Sequence, residues 1–336
     1  MKIGVLGAGT WGMALARMLA TLDYEVTVWS AVKAEIDELK TTGRQKNLPD
    51  MEIPDSIVFT TEIADAVSGA DIVLFAVASV YIRSTAKTAA HLIGREQIIV
   101  NVSKGIETDT MMTMTQVIED ELNKAEKYGN PYVALSGPTH AEEVARDLPT
   151  LAVSACTDPE IAKQVQKVFM NPRMRVYTNP DVTGVELCGA VKNIIALASG
   201  ISTGLGYGDN ARAALITRGI VETMRLGVAM GCQERTFHGL AGIGDMIVTA
   251  TSMHSRNNSC GVYIGEGMKP EDAVKKVGMV VEGINAIPAV RALSAKYDVE
   301  MPIVEAVNAI INEGKNPQEA VNYLMTREGR EEWQDA

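Results

Sequence analysis

Residues 2–12 read KIGVLGAGTWG, a short apolar run followed at once by a glycine-rich turn. Gly7, Gly9 and Gly12 have the G-x-G-x-x-G spacing, which indicates dinucleotide binding when it follows a strand and opens a helix. Gly7 permits the tight turn, Gly9 leaves room for a pyrophosphate, and Gly12 lets the helix pack closely on the strand. The N–H groups at the helix start would bind the phosphates. The alternative is a glycine-rich turn without a ligand.

Outward from this stretch, short β-branched runs alternate with helical segments, which predicts a parallel, doubly wound sheet of the Rossmann type. After about residue 178 a turn cluster is followed by long helical patterns with little strand character. The sequence therefore predicts an α/β fold with two domains: a dinucleotide-binding domain over 1–178 and an all-α substrate-binding and catalytic domain over 179–336. The predicted strands are 2–6, 25–29, 57–59, 72–76, 98–102, 132–135 and 151–155, and the predicted helices of the second half are 183–199, 211–230, 270–276, 284–296 and 304–311.

The composition excludes several classes of protein. Lys and Arg number 31 and Asp and Glu 42, for a net charge of −11, which argues against binding to nucleic acid or to an anionic membrane surface. Any anionic ligand therefore needs a local cluster of cations. No apolar run approaches the ~20 residues that span a bilayer. The four cysteines are far apart and no export signal is visible, so we expect reduced thiols in a cytoplasmic protein.

The second predicted strand is expected to end in an acid if the domain binds the ribose of NAD. It is followed instead by Ser30 and Ala31, and the next acid is Glu35. The hydroxyl of Ser30 can donate a hydrogen bond to a 2′-phosphate, and Lys33 can neutralise the phosphate charge, which favours NADP. The alternative is that Ser30 and Lys33 are ordinary loop residues.

Lys192 and Asn193 lie in the middle of a predicted helix whose apolar residues do not keep to one face. A helix that is apolar all round is buried. A lysine in that setting is costly unless it is paired or used. Burial lowers the pKa of an amine towards neutrality, which suits a general acid or base. The alternatives are a lysine that extends its ammonium to solvent and a structural ion pair.

Two segments follow predicted strands, at the edge of the sheet where ligands of this architecture bind. Lys104 follows the fifth strand and is predicted to contact a ligand, the alternative being a surface lysine. Gly137 and Thr139 follow the sixth strand, and Thr139 with Glu142 forms a T-x-x-E capping box for the next helix. Capping alone explains Thr139 fully, so only its location favours a binding role.

In the helical half, Arg256 can bind a phosphate through two parallel hydrogen bonds, with Asn257 donating beside it and Ser255 preceding both. The alternative for this segment is a solvated loop. Asp245 lies in a flexible glycine turn, either as a capping residue or as the ion-pair partner of a catalytic amine. The histidines and cysteines lack the spacing of zinc ligands and no G-x-S-x-G occurs, so zinc sites and serine-hydrolase chemistry have no support.

Taken together, these residues resemble the bacterial NAD(P)-dependent sn-glycerol-3-phosphate dehydrogenase family. The similarity covers nearly the whole chain in the family's order. The segments that carry it are 7–12, 102–105, 136–139, 189–193 (GAVKN), 210–218 (NARAALITR), 242–245, 255–257 and 281–283.

The resemblance implies reversible hydride transfer between NAD(P)H and dihydroxyacetone phosphate, which yields sn-glycerol 3-phosphate for glycerophospholipid synthesis, with no metal and in a homodimer. Lys192 would be the proton donor or acceptor at the C2 oxygen, Lys104 would bind substrate and cofactor, and Asp245 would orient Lys192. Further substrate contacts would come from Gly137, Thr139, Asn193, Ser255, Arg256 and Asn257. Further cofactor contacts would come from Thr10, Trp11, Ala141, Arg256 and Glu282.

One position departs from the family. Many members carry a basic residue or histidine directly after the second strand, where this chain has Ala31. We therefore predict that both cofactors work, with kcat/KM values that differ by less than about a hundredfold, or roughly 2.7 kcal/mol.

Two other functions are possible: a dehydrogenase of the same plan that acts on a hydroxy acid or a sugar nucleotide, and a dinucleotide sensor without turnover. The first leaves the phosphate clamp at Arg256 and Asn257 unexplained, and the second leaves Lys192 and Asp245 unexplained.

Overall fold

The computed structural model describes residues 1–332, which fall into two compact units. The first unit comprises Met1–Lys104 and Thr113–Val182, and the second comprises Gly105–Met112 and the chain from Thr183 onward. Each unit has its own hydrophobic core. The predicted domain boundary at 178 falls inside the last strand of the first unit. The end of the predicted second domain, 333–336, lies outside the described residues.

The first unit contains an eight-stranded sheet flanked by helices. The strands are β1 Lys2–Leu6, β2 Glu25–Trp29, β3 Val58–Thr60, β4 Ile72–Phe75, β5 Ile98–Asn101, β6 Tyr132–Ser136, β7 Thr150–Ala155 and β8 Met174–Asn179. The helices are α1 Thr10–Ala20, α2 Lys33–Thr42, α3 Ile63–Val67, α4 Ile82–Ala89, α5 Met114–Lys124, α6 Ala141–Val144 and α7 Pro159–Phe169. The strand order is β3-β2-β1-β4-β5-β6-β7-β8.

The predicted fold class is confirmed. All seven predicted strands are present, and their observed ends lie within one residue of the predicted ones. They were recognisable because strands such as β4 are buried at every residue and therefore form continuous apolar runs. α7 begins directly after Asp158, whose carboxylate accepts hydrogen bonds from the N–H groups of Glu160 and Ile161.

Two features of the sheet correct the prediction. β6 and β7 pair in the antiparallel direction, so the sheet is not parallel throughout. β8 was not predicted, because it stands at the edge of the sheet and its first residues alternate between buried and exposed. Met174 and Val176 face the core, whereas Arg175 and Tyr177 face solvent. Such a strand lacks the apolar run by which the central strands were identified.

The second unit is helical. Its helices are α8 Val182–Gly204, α9 Asp209–Ala229, α10 Glu234–Phe237, α11 Asp245–Thr251, α12 Arg256–Gly265, α13 Pro270–Val277, α14 Glu282–Tyr297, α15 Pro302–Asn312 and α16 Pro317–Met325. A π-helical turn, Leu240–Gly244, leads directly into α11. The predicted flexible turn at 242–245 is therefore wrong: Asp245 begins a helix and is buried.

α8 is buried on every face from Gly184 to Ser202, as predicted. Glycines bring its backbone close to that of α12: a Cβ on Gly200 would lie 2.0 Å from the carbonyl oxygen of Asn258. Among residues 1–332, α8 is also the one helix long and apolar enough to cross a membrane by length and composition alone. Its most apolar 18-residue window is entirely buried inside the protein, as in a core helix, so this is weak evidence for a membrane span.

Candidate functional site

The glycine turn between β1 and α1 has a shape that fits a dinucleotide. Gly7 has a φ of +129°, and a Cβ on Gly12 would lie only 2.1 Å from the carbonyl oxygen of Gly7. A Cβ on Gly9, in contrast, would meet no atom of the described residues within 4 Å apart from its chain neighbours. The turn is therefore closed towards the protein at Gly7 and Gly12 and open at Gly9. The first N–H groups of α1 have no acceptor within the helix and are available to phosphate oxygens.

Three of the other predicted cofactor residues of the first unit lie at helix starts. Thr10 and Trp11 begin α1 and are half-buried, and Ala141 begins α6 and is buried. The hydroxyl of Thr10 accepts a hydrogen bond of 3.1 Å from the Asn47 amide. Asn47, which was not predicted, thus joins the loop after α2 to the glycine turn. Nothing in its local sequence indicated this contact, because it spans 37 residues of chain.

The two residues predicted to bind a 2′-phosphate are engaged within the chain. The Ser30 hydroxyl donates to the Glu35 carboxylate at 2.7 Å and accepts from the N–H of Val32 at 3.1 Å. The ammonium of Lys33 pairs with Asp37 at 2.5 Å. Their contact with a phosphate stays a prediction.

Three predicted residues meet at the carbonyl oxygen of Gly137, directly after β6. The ammonium of Lys104 and the hydroxyl of Thr139 each donate a hydrogen bond of 3.1 Å to it. Gly137 has a φ of +139°, a conformation that favours glycine. The predicted capping box at Thr139 is wrong, because His140 is the N-cap residue of α6 and no side chain caps that helix. Thr139 is half-buried, and its hydroxyl shares the Gly137 carbonyl with Lys104 at the end of β6.

In the helical unit, Lys192 is held by two side chains of α11. Its ammonium donates to Asp245 at 2.5 Å and to the hydroxyl of Thr249 at 2.7 Å. Lys192 and Asp245 are 6% and 1% exposed, so the pair is shielded from water and its attraction is only weakly screened. Thr249 was not predicted. Its position four residues after Asp245 places both on one face of a helix, but only once 245–251 is known to be helical.

A buried amide chain joins three helices of the same unit. The Asn257 amide donates to Asn193 at 3.0 Å, and its oxygen accepts from the N–H of Gly283 at 2.8 Å. These bonds fix the start of α12 against α8 and the start of α14. Arg256 and Glu282 directly precede the bonded residues, so the chain brings them to neighbouring helix starts. Asn193 and Asn257 are therefore placed to hold Arg256 in position, and their contact with substrate stays a prediction.

Arg256 itself is exposed, and among residues 1–332 its side chain makes no hydrogen bond or ion pair. It is the first residue of α12, after Ser255, whose hydroxyl caps that helix by accepting from the N–H of Asn258 at 3.2 Å. The segment is thus a helix start rather than the solvated loop that was the alternative. A guanidinium at a helix N-terminus adds its charge to the N–H groups of the helix, which suits an anion.

A cavity of the helical unit is not lined by these residues. It has a volume of about 320 Å³ and is lined by side chains that include Glu222, Leu215 and Ile303, and by none of the predicted site residues. Glu222 is 3% exposed and accepts hydrogen bonds from the N–H of Ile303 at the start of α15. Burial raises the pKa of Glu222 to about 8, against the opposing effect of the N–H groups of Ile303 and Val304.

Comparison with known proteins identifies the family. The sequence profile described as the NAD-dependent glycerol-3-phosphate dehydrogenase N-terminus matches residues 2–162, and the profile of the C-terminus of the same family matches residues 181–322.

The chain belongs to the NAD-dependent glycerol-3-phosphate dehydrogenase family.

Relatives within this glycerol-3-phosphate dehydrogenase family are similar over their full length. An NAD(P)+-dependent member from Lactobacillus delbrueckii subsp. bulgaricus is 66% identical over 98% of both chains. One from Fusobacterium nucleatum is 50% identical over 99% of both chains. The crystal structure of glycerol-3-phosphate dehydrogenase from Coxiella burnetii is 37% identical, covers 97% of this chain and 99% of its own, and superposes with a TM-score of 0.92.

These comparisons confirm the predicted family, the fold class, the assignment as an NAD(P)-dependent oxidoreductase, and the function as a glycerol-3-phosphate dehydrogenase at the level of the family. The role of each individual site residue stays a prediction. Among residues 1–332, no group of three or more His, Cys, Asp or Glu side chains could hold a metal ion.

Proposed function

We propose that this chain catalyses the reversible reduction of dihydroxyacetone phosphate to sn-glycerol 3-phosphate with NADH or NADPH. Family membership over the full length supports the reaction. The observation that carries the chemistry is the buried ammonium of Lys192, held by Asp245 and Thr249. A ketone that becomes an alcohol needs a proton at its oxygen, and this amine is the group proposed to deliver it.

In the proposed mechanism, the Nζ of Lys192 donates a proton to the C2 oxygen during reduction and accepts it in the reverse direction. The nicotinamide, when bound, supplies or takes up the hydride. As the carbonyl oxygen gains negative charge, the nearby ammonium stabilises it in an environment that excludes water. Asp245 and Thr249 hold the amine so that little reorganisation is needed when the proton moves.

The phosphate of the substrate is assigned to the helical unit. Arg256 is exposed and its side chain makes no hydrogen bond or ion pair within the described residues, so it can offer its guanidinium to phosphate oxygens. Asn193 and Asn257 fix the start of α12 and thereby the origin of the Arg256 side chain. Ser255 caps the same helix. Asn257 is assigned mainly to positioning, because both ends of its amide already bond to the protein.

In the first unit, the glycine turn is assigned to the pyrophosphate of the dinucleotide, with Thr10 and Trp11 at the start of α1. Lys104, Gly137 and Thr139 form a polar group at the ends of β5 and β6, the sheet edge at which this architecture binds ligands. The ammonium of Lys104 is assigned to the reacting part of the substrate and cofactor, where its charge favours the developing negative charge.

We further propose a cytoplasmic homodimer whose product serves as the backbone for glycerophospholipid synthesis. The acidic composition and the relatives' enzymatic names support a metabolic enzyme acting on a small phosphorylated substrate. Sedimentation of the purified chain tests the dimer: a mass near twice 36.1 kDa is expected, and a monomer mass would contradict it.

Oxidation of NADH and NADPH in the presence of dihydroxyacetone phosphate tests the function. Turnover is expected with this ketone, and none with dihydroxyacetone plus free phosphate, because the phosphate must be attached to the reacting ketone for the cation to orient it. An enzyme that binds NADH but does not turn over dihydroxyacetone phosphate would contradict the substrate assignment. A panel of keto acids and sugar nucleotides would then identify the alternative dehydrogenase.

A further inference from the structure

The end of β2 lies directly beside the glycine turn. The N–H of Gly7 donates to the carbonyl of Trp29 at 2.9 Å, and the N–H of the following residue, Ser30, donates to Thr60 of β3 at 3.2 Å. Ser30 is therefore fixed at the carboxyl edge of the sheet, one residue after Trp29, which bonds to the glycine turn. In dinucleotide-binding folds, an acid at this edge accepts hydrogen bonds from the adenosine ribose and selects NAD over NADP.

The sequence places no acid at the end of β2, but the structure supplies one from the first turn of α2. The Glu35 carboxylate accepts a hydrogen bond of 2.7 Å from the Ser30 hydroxyl. That hydroxyl is held in turn by the N–H of Val32, and Ser30 is only 5% exposed. The single proton of the hydroxyl is thus directed at Glu35, which is half-buried and fixed in place.

This arrangement reverses the electrostatic expectation drawn from the sequence. Ser30 was expected to donate to a 2′-phosphate, yet it donates to a carboxylate that would repel one. Lys33 was expected to neutralise the phosphate, yet its ammonium pairs with Asp37. Of the two cations in the loop after α2, Arg44 donates to the carbonyl of Pro49 at 2.6 Å, and Lys46 remains the competitor that could attract a phosphate.

We propose that Glu35, oriented by Ser30, is the specificity-determining residue that makes this enzyme prefer NADH to NADPH. This inference rests on the proposed function. The carboxylate accepts hydrogen bonds from the ribose hydroxyls of NADH, whereas the 2′-phosphate of NADPH replaces one of those donors with negative charge. Because the acid acts on binding of the adenosine end, it changes the KM and Kd of the dinucleotide rather than the rate of hydride transfer.

The test compares kcat/KM for NADH and for NADPH, with dihydroxyacetone phosphate, in the full-length wild type and in Glu35→Gln. We expect the wild type to favour NADH by at least about tenfold, equivalent to about 1.4 kcal/mol. Glu35→Gln should lower this ratio by at least about fivefold through the KM values, with kcat nearly unchanged. Glu38→Gln is the matched control: it removes the same charge from an exposed position on the same helix and should leave the ratio unchanged.

Ser30→Ala provides a second variant, because it removes the donor that orients the carboxylate while keeping the charge of Glu35. It should lower the ratio less than Glu35→Gln does. A wild type that prefers NADPH, or a ratio that is the same in Glu35→Gln and wild type, would overturn the proposal. Fluorescence titration of each dinucleotide separates this outcome from failure of the proposed function. If Glu35→Gln changes the ratio of the Kd values for NADH and NADPH but the enzyme does not turn over dihydroxyacetone phosphate, only the substrate assignment is rejected.

Discussion

The glycine turn of the first unit and the Lys192 cluster of the helical unit differ in which atoms are proposed to perform the chemistry. Residues 7–12 contain no charged side chain and offer backbone N–H groups and open space. The cluster instead relies on the side chains of Lys192, Asp245 and Thr249, which are buried and meet across 53 residues or more of chain. Binding built on backbone shape can be read from a local motif, whereas chemistry built on paired side chains depends on the packing of distant helices.

The largest expected effect is a loss of proton transfer in the helical unit, with NADH binding by the glycine turn left intact. Lys192→Met keeps most of the side-chain volume but removes the proton donor, so kcat should fall roughly 10²- to 10⁴-fold. The Kd of NADH should remain within a factor of about three, because the glycine turn is intact. Steady-state kinetics and a fluorescence titration measure the two quantities. Lys275→Met, at an exposed lysine of α13, is the control, and near-wild-type kcat in Lys192→Met would remove the proposed proton-transfer role.

The next effect concerns Arg256 and separates substrate binding from proton transfer. Arg256→Ala should raise the KM for dihydroxyacetone phosphate roughly ten- to hundredfold, the range expected for lost hydrogen bonds to a charged group. The Kd of NADH should change less than the KM for the phosphorylated ketone. Arg235→Ala, at an exposed arginine of α10, is the control. An unchanged KM in Arg256→Ala would show that another cation binds the phosphate.

Two alanine substitutions in the glycine turn separate its contribution to NADH binding from its contribution to the stability of the fold. At Gly9 a Cβ would lie more than 4 Å from every atom of residues 1–332 other than its chain neighbours, so Gly9→Ala should retain the wild-type Tm while the Kd of NADH rises about tenfold or more. At Gly12 a Cβ overlaps the carbonyl of Gly7, so Gly12→Ala should also destabilise the fold, by about 1–3 kcal/mol. Thermal melts and NADH titrations distinguish the two variants. Equal losses of Tm would mean that Gly9 serves the fold rather than the ligand.

The last prediction concerns stability rather than catalysis, at Glu222, which lies outside both clusters. Burial raises the pKa of Glu222 to about 8, so the folded protein holds a proton that the unfolded chain releases near the ordinary glutamate pKa of 4.5. The stability linked to this group is present below that ordinary value and is lost as the pH rises towards 8. The Tm of Glu222→Gln relative to wild type should therefore increase between about pH 5 and pH 9, as measured by melts across this range. A constant difference would contradict the raised pKa.

Much of the first unit could be predicted because its signals are local. The central strands are continuous apolar runs, and the spacing of Gly7, Gly9 and Gly12 is contained in one turn. β8 and the antiparallel pairing of β6 with β7 could not be read in the same way, since an edge strand is apolar at alternate residues only and strand direction is set by the path of the connecting chain. Thr139 shows the opposite error, in which a matching local pattern formed no cap.

By itself, the sequence determined the fold class and the family and indicated the side chains that are proposed to react, because hydrophobic periodicity, glycine spacing and residue type are properties of short segments. Only the tertiary structure decided which side chains meet. Lys192 donates hydrogen bonds to Asp245 and Thr249. Asn257 bonds to Asn193 and Gly283, and Glu35 accepts a hydrogen bond from Ser30 at the end of β2. Hydrogen bonds and charges act over a few ångströms, and which residues come that close is settled by the packing of whole helices and strands.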